Sequence, residues 1–239
     1  MFLATLFDTI FWIYFIATVG PAIALMAVIY NQDKVEREPL PLLMKLIGGG
    51  CLAAIPAMIL ESVGEPLLTK FIDPGSPLYS VVLAFLVVAV AEEGSKFFFL
   101  RKFSWRSPYF DYRFDGIVYA VFVSLGFAAL ENIEYVAGYG LSVAPSRALL
   151  AIPGHFGFAV FMGYFYGRAK LWEDAGHHAR SVAEQWAAVL SAVFFHGFYD
   201  ACAMSKQTEA GVIFLIYVVA VDLIVFRLVK HESATDEPV

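Results

Sequence analysis

Four short stretches carry the residue types that could do chemistry. They are Ala91-Glu92-Glu93-Gly94-Ser95-Lys96, Phe127-Ala-Ala-Leu-Glu131-Asn132, Pro153-Gly154-His155 and His196-Gly-Phe-Tyr-Asp200. Glu92 and Lys96 are four residues apart, so on a helix they share a face with Glu93 beside them. Two carboxylates and one ammonium crowded in a medium of low dielectric are what general acid–base chemistry uses. A purely structural Glu92–Lys96 pair would leave Glu93 unexplained. Asp200 follows His196 by one helical turn, so its carboxylate can orient the imidazole and raise its basicity, as for a metal ligand or a catalytic histidine. Glu131 and Asn132 offer a carboxylate and an amide to the same pocket. Glu134 is expected only to reach the membrane interface. His177, His178 and His231 are expected in solvated segments.

These residues are surrounded by apolar sequence. Of the 239 residues 60% are hydrophobic and 16% charged, and the mean hydropathy is +0.70. Soluble domains run at about 45–50% and about 25%. Seven apolar runs are long enough to cross a bilayer, over about 8–30, 42–62, 78–100, 116–137, 146–167, 187–204 and 210–229. Lipid cannot satisfy an exposed backbone, so continuous runs of this kind must be helices. A β-barrel would need alternating ones. The expected fold is therefore all-α: a polytopic transmembrane helical bundle forming a single domain over 1–230. The chemistry-bearing core lies at about 80–202, and an acidic tail at 231–239 is expected to have no fold of its own.

The basic residues predict an orientation. Twelve of the sixteen Lys and Arg fall on the side of the first, third and fifth connections and the C-terminus, against Lys70, Arg147 and Lys206 on the other, with Lys96 inside a span. The rule that cytoplasmic loops are the positive ones then puts the N-terminus outside and the C-terminus in the cytoplasm. The first run is too long for the core of a signal peptide and reads as a retained span. Net charge is −6 with no basic stripe, which excludes a nucleic-acid partner. Cys51 and Cys202 are too few for a disulfide framework and read as small buried hydrophobes. Asp115-Gly116 reads as a cap opening the fourth span. Ala159, Gly163 and Gly167, four apart, form a ridge that lets helices pack closely. Pro56 and Pro153 should bend or break their spans.

Taken in order, Glu92-Glu93-x-x-Lys96, Phe127-x-x-x-Glu131-Asn132, His155 and His196-x-x-x-Asp200 resemble the PrsW family of intramembrane proteases. These are relatives of the CAAX prenyl endopeptidases and of the bacteriocin-immunity Abi proteins. The resemblance covers roughly residues 80–202 and includes Asp115-Gly116-Ile-Val-Tyr119 and Gly126-Phe127-Ala-Ala. The family's third motif is often His-x-x-x-Gly; Ala159 stands at that last position here and is still small. The resemblance implies hydrolysis of peptide bonds in membrane-anchored substrates, possible examples being the site-1 cleavage of an anti-sigma factor or another single-pass protein. It also implies a multi-pass protein of a prokaryotic plasma membrane.

Two mechanisms stay open on this reading. In one, Glu131, His155 and His196 hold a divalent metal, zinc by its ligand chemistry, and Glu92 or Glu93 is the base. In the other no metal takes part: a glutamate helped by a histidine activates water, and His196 and Asn132 stabilise the oxyanion. In both, Lys96, Asn132 and Asp200 support the site. The rival functions are a proton or metal-ion transporter using the same Glu and His residues, and a non-catalytic membrane scaffold. No inverted repeat favours the transporter, and the full set of carboxylates argues against a decayed scaffold. One geometric demand follows. The span edges place Glu92 toward one side of the membrane and Glu131 toward the other, so a single site needs tilted or broken helices.

Overall fold

A computed structural model describes residues 2–205 and 207–239, with side chains for Thr9 and from Phe11 onward; Lys206, counted above among the outer charges, lies outside it. Among the described residues there are seven long helices, each apolar enough to cross a membrane: α1 (Phe2–Gln32), α2 (Leu40–Leu68), α3 (Pro77–Ser104), α4 (Asp115–Tyr139), α5 (Leu141–Asp174), α6 (His178–Ala203) and α7 (Thr208–Ala234). The all-helical bundle and the count of seven spans agree with the sequence reading. The helices overrun the apolar runs at several ends.

Helix α4 is the central post, with most of its length buried, whereas α1, α6 and α7 turn most of theirs outward. Exposed Trp12, Ile16, Leu52, Leu60, Leu215 and Phe226 coat the outside, as lipid contact requires. Between lipid-soluble helices there is little hydrophobic gain, so close van der Waals packing must hold the bundle. The glycines show how. A Cβ on Gly163 would lie 2.4 Å from the Ile117 Cα, on Gly167 2.1 Å from the Arg113 carbonyl oxygen, and on Gly116 2.5 Å from the Gly167 nitrogen. The ridge on α5 is therefore pressed against the backbone at the start of α4. Gly50 does the same for α2, where a Cβ would meet the Val123 carbonyl oxygen at 1.9 Å.

Two helices are irregular where the chemistry is. α3 changes to a π-helix over Leu83–Ala89, just before Glu92. α5 begins with a 3₁₀ turn, passes through a π-helix at Arg147–Ala151 and becomes α-helical from Ile152. A π turn widens the helix and rotates everything after it, and such turns gather at functional sites. Pro153 lies in the first turn of the α-helical stretch, so the break precedes it. Asp115 differs from its expected role. Its Oδ2 accepts the N–H groups of Tyr112 at 2.8 Å and Asp111 at 3.2 Å. The carboxylate thus fixes the preceding loop, and it leaves the N-terminal N–H groups of α4 without a side-chain cap.

The last nine residues are engaged with that loop. Glu232 pairs with Arg113 at 3.0 Å, Asp236 Oδ1 accepts the Phe114 N–H at 2.9 Å, and the Val239 N–H donates to the Asp111 carbonyl at 3.0 Å.

Candidate active site

The side chains singled out in α3, α4, α5 and α6 converge, which meets the geometric demand stated above. Lys96 is at the centre and is 1% exposed. Its Nζ lies 2.9 Å from Glu92 Oε2, 2.7 Å from Glu93 Oε1 and 3.2 Å from His155 Nδ1. It also stands 4.1 Å from the centroid of the Phe127 ring, a cation–π contact that adds to its neutralisation. An ammonium can only donate, so His155 Nδ1 accepts and the ring proton is on Nε2. That Nε2–H then donates to Glu131 Oε2 at 2.9 Å.

His196 is built in the same way. Its Nδ1 lies 2.8 Å from Glu93 Oε1, and its Nε2 lies 3.2 Å from Asp200 Oδ2. The Phe158 ring stacks on it at 4.9 Å. Each histidine thus turns Nδ1 inward, toward Lys96, Glu92 and Glu93, and Nε2 outward, toward a carboxylate on α4 or α6. The two rings are 5.4 Å apart and nearly perpendicular.

Glu92, Glu93, His155 and His196 are all buried, and one ligand atom from each lies within 4.8 Å of the others. Two carboxylates and two imidazoles, each imidazole backed by an outer carboxylate, form a donor set that zinc takes. Glu93 Oε2 is buried with no hydrogen-bond partner, a further lone pair free to ligate. The residues present therefore fit a divalent metal. Glu131 is outside this group of four and holds the far nitrogen of His155.

Asn132 faces elsewhere. It is fully buried; its amide donates to the Thr18 carbonyl of α1 at 2.7 Å, and its Oδ1 accepts from Arg147 Nε at 2.7 Å. Arg147 was counted above only as an outer charge. Its Nη2 lies 2.9 Å from Glu131 Oε2, an ion pair without hydrogen-bond alignment. Only the unwinding of α5 brings it here, and no local motif around Arg147 announces that.

A cavity of about 690 Å³ adjoins the cluster, bounded by parts of α2 to α7. Glu92, Glu131, His155, His196 and Asp200 line it; Glu93 and Lys96 do not. Its wall also includes Glu61 of α2, which stood near the end of an apolar run with no motif to mark it, and Glu134, which was expected only to reach the interface.

Residues 38–226 match the model of a family described as PrsW family intramembrane metalloprotease. Curated relatives are named Protease PrsW. One from Geobacillus kaustophilus (strain HTA426) is 33% identical, with 93% of each chain covered. One from Clostridioides difficile (strain 630) is 30% identical over 86% of this chain and 85% of the relative. One from Bacillus subtilis (strain 168) is 33% identical over 77% of this chain and 79% of the relative. No solved structure matches.

Proposed function

This chain belongs to the PrsW family of intramembrane proteases, and from that premise we propose that Glu92 is the base that activates water for peptide-bond hydrolysis. The protein is a multi-pass membrane peptide hydrolase; the assignment of roles within its site is the proposal. One observation carries it: Glu92 is the only carboxylate of the buried group of four to line the cavity, while Glu93 stands behind it, fully buried.

Glu92 takes a proton from water held in the cavity. His196, clamped between Glu93 and Asp200, gives a proton to the departing amine. His155, with Nδ1 on Lys96 and its Nε2–H on Glu131, is held as a fixed wall of the site. Arg147 and Asn132 hold Glu131 and so hold His155; they are positioning residues. Glu93, His155 and His196 would hold a divalent metal, zinc by donor type, and it would supply Lewis-acid polarisation of the carbonyl. Glu92 remains free to act as the base with or without it.

The substrate class follows from placement. The reacting groups lie on membrane-spanning helices, so the scissile bond must come to them in or at the bilayer. A single-pass membrane protein, such as an anti-sigma factor, meets that condition. The surplus of basic residues at the end bearing the α1–α2 connection and the C-terminus supports that end as cytoplasmic.

The test compares new N-termini of membrane proteins, by mass spectrometry, in cells making equal amounts of wild type or Glu92→Gln. Termini near or within spans of other proteins, present with wild type and absent with the variant, are expected. Identical termini in a host that contains the native substrate would sink the assignment.

A further inference from the structure

A second group of carboxylates is buried far from the cavity. Asp33 follows α1, Glu38 precedes α2 and Asp115 opens α4; they are 3%, 5% and 2% exposed. One oxygen from each lies within 4.8 Å of the others. Glu131 is sixteen residues along α4 from Asp115, so this group is roughly 24 Å from the Glu131 end of the active site.

No lysine or arginine forms an ion pair with any of the three among the described residues. The cations nearby are otherwise engaged. Arg113 pairs with Glu232 and Glu237 of the tail, and Arg37 lies over the Tyr30 ring. Asp33 Oδ2 and Glu38 Oε2 are buried and accept no hydrogen bond. Asp115 is anchored by the two backbone N–H groups that meet its Oδ2, so it cannot swing out to water without losing them. Buried acceptors left unsatisfied in this way cost stability, and carboxylates buried without a cation cost more.

We propose that Asp33, Glu38 and Asp115 bind a hard divalent cation, calcium or magnesium, that ties the α1–α2 connection to the start of α4. The ligand set is all oxygen, which suits these ions and not zinc. Oxygens on opposite sides of a calcium ion are about 4.6–5.2 Å apart, so the 4.8 Å group fits one ion with little movement. Mg²⁺ would require the carboxylates to close in further. The bound ion supplies the direct ion pairing that no described side chain supplies here. It also fixes the loop that the C-terminal tail straps through Phe114 and Asp111.

The experiment uses the full chain in detergent, stripped with chelator and passed into metal-free buffer. Binding of Ca²⁺, Mg²⁺ and Mn²⁺ is measured by titration calorimetry, with the melting temperature followed alongside. The protein is wild type, Asp33→Asn/Glu38→Gln, or His155→Ala/His196→Ala. Both substitutions in the acidic pair are near-isosteric and mimic the protonated carboxyls, which keeps the fold; Asp33→Asn alone serves if the double variant is not monodisperse. The expected result is Ca²⁺ or Mg²⁺ binding with a rise in melting temperature, both lost in the acidic-pair variant and kept in the histidine variant. The proposal is overturned if wild type binds none of the three ions at millimolar concentration. It is equally overturned if binding and melting shift survive the acidic-pair substitutions, or vanish only with the histidines. A melting temperature raised by the substitutions and unmoved by any ion would show that shared protons, with no metal, neutralise the cluster.

Discussion

Among the described residues two groups of buried carboxylates differ in where their counter-charge comes from. Around Lys96 the chain provides its own: one ammonium touches Glu92, Glu93 and His155, and His196 sits between Glu93 and Asp200. At the end of the bundle, Asp33, Glu38 and Asp115 meet with no basic side chain paired to them among the described residues. The first group lies between helices that cross the bilayer, where an unpaired charge is costly, and the fold carries its cation there as the Lys96 side chain. The second lies beside the connections, within reach of the aqueous phase and of the ions it contains. A charge that the solvent can deliver need not be encoded.

The predictions test that contrast, beginning with the largest effect. Glu92→Gln should cut substrate cleavage by about 10²–10⁴-fold, the usual weight of a general base. The melting temperature should move little, since Glu93 still holds Lys96 and His196. Activity assays on purified protein with a cleavable membrane substrate, paired with thermal scans, check this; a variant retaining near-full activity would remove Glu92 from the mechanism.

Lys96→Met should be the strongest blow to stability. It strands two buried carboxylates, and breaking a buried pair costs about 3–5 kcal/mol. Reduced folded yield and a lowered melting temperature in detergent are the readouts. By contrast Asp33→Asn should not destabilise in metal-free buffer, because no side-chain cation is stranded by it. Equal losses in the two variants would erase the distinction between the groups.

Arg147→Ala should lower kcat by about 10–100-fold, as loss of a partner behind a histidine does, with KM little changed. Arg147→Lys should rescue part of it by restoring the charge beside Glu131. A merely structural role would show as a lower melting temperature with unaltered activity per folded molecule.

The smallest effect is in the pH dependence of stability. Burial, with help from Asp236, pushes the Asp33 carboxyl up to about 6, against a partial pull from Arg37. Burial likewise pushes Glu38 up to about 7. Raised carboxyls favour the protonated fold. Their contribution is complete below the unfolded values near pH 4 and is lost as pH rises through 6 to 7. Without divalent ions the melting temperature should therefore fall across that window, and Asp33→Asn/Glu38→Gln should flatten the fall. A curve of the same shape in wild type and variant would place the titrating groups elsewhere.

Much of this molecule was legible in its sequence. Seven apolar runs near twenty residues admit only helices in lipid, and charges within them stand out because they are costly there. Glu92, Glu93, Lys96, Glu131, His155, His196 and Asp200 were each marked by local spacing, and they meet within hydrogen-bonding distance of one another in the fold. The small-residue ridge was legible too, since helix packing in lipid depends on it.

Other features were decided only by the tertiary structure. Arg147 joins Glu131 because a π turn rotates the start of α5, and Asn132 reaches back to α1. Glu61, inside its apolar run, enters the cavity wall because of how α2 packs against the neighbouring helices. Asp33, Glu38 and Asp115 are 82 residues apart from first to last, each beside a helix end where an acidic residue is ordinary. The sequence determined which residues are costly to bury, because that depends on side-chain type and local hydropathy. Which of them share a counter-charge depends on distances between helices, and only packing sets those.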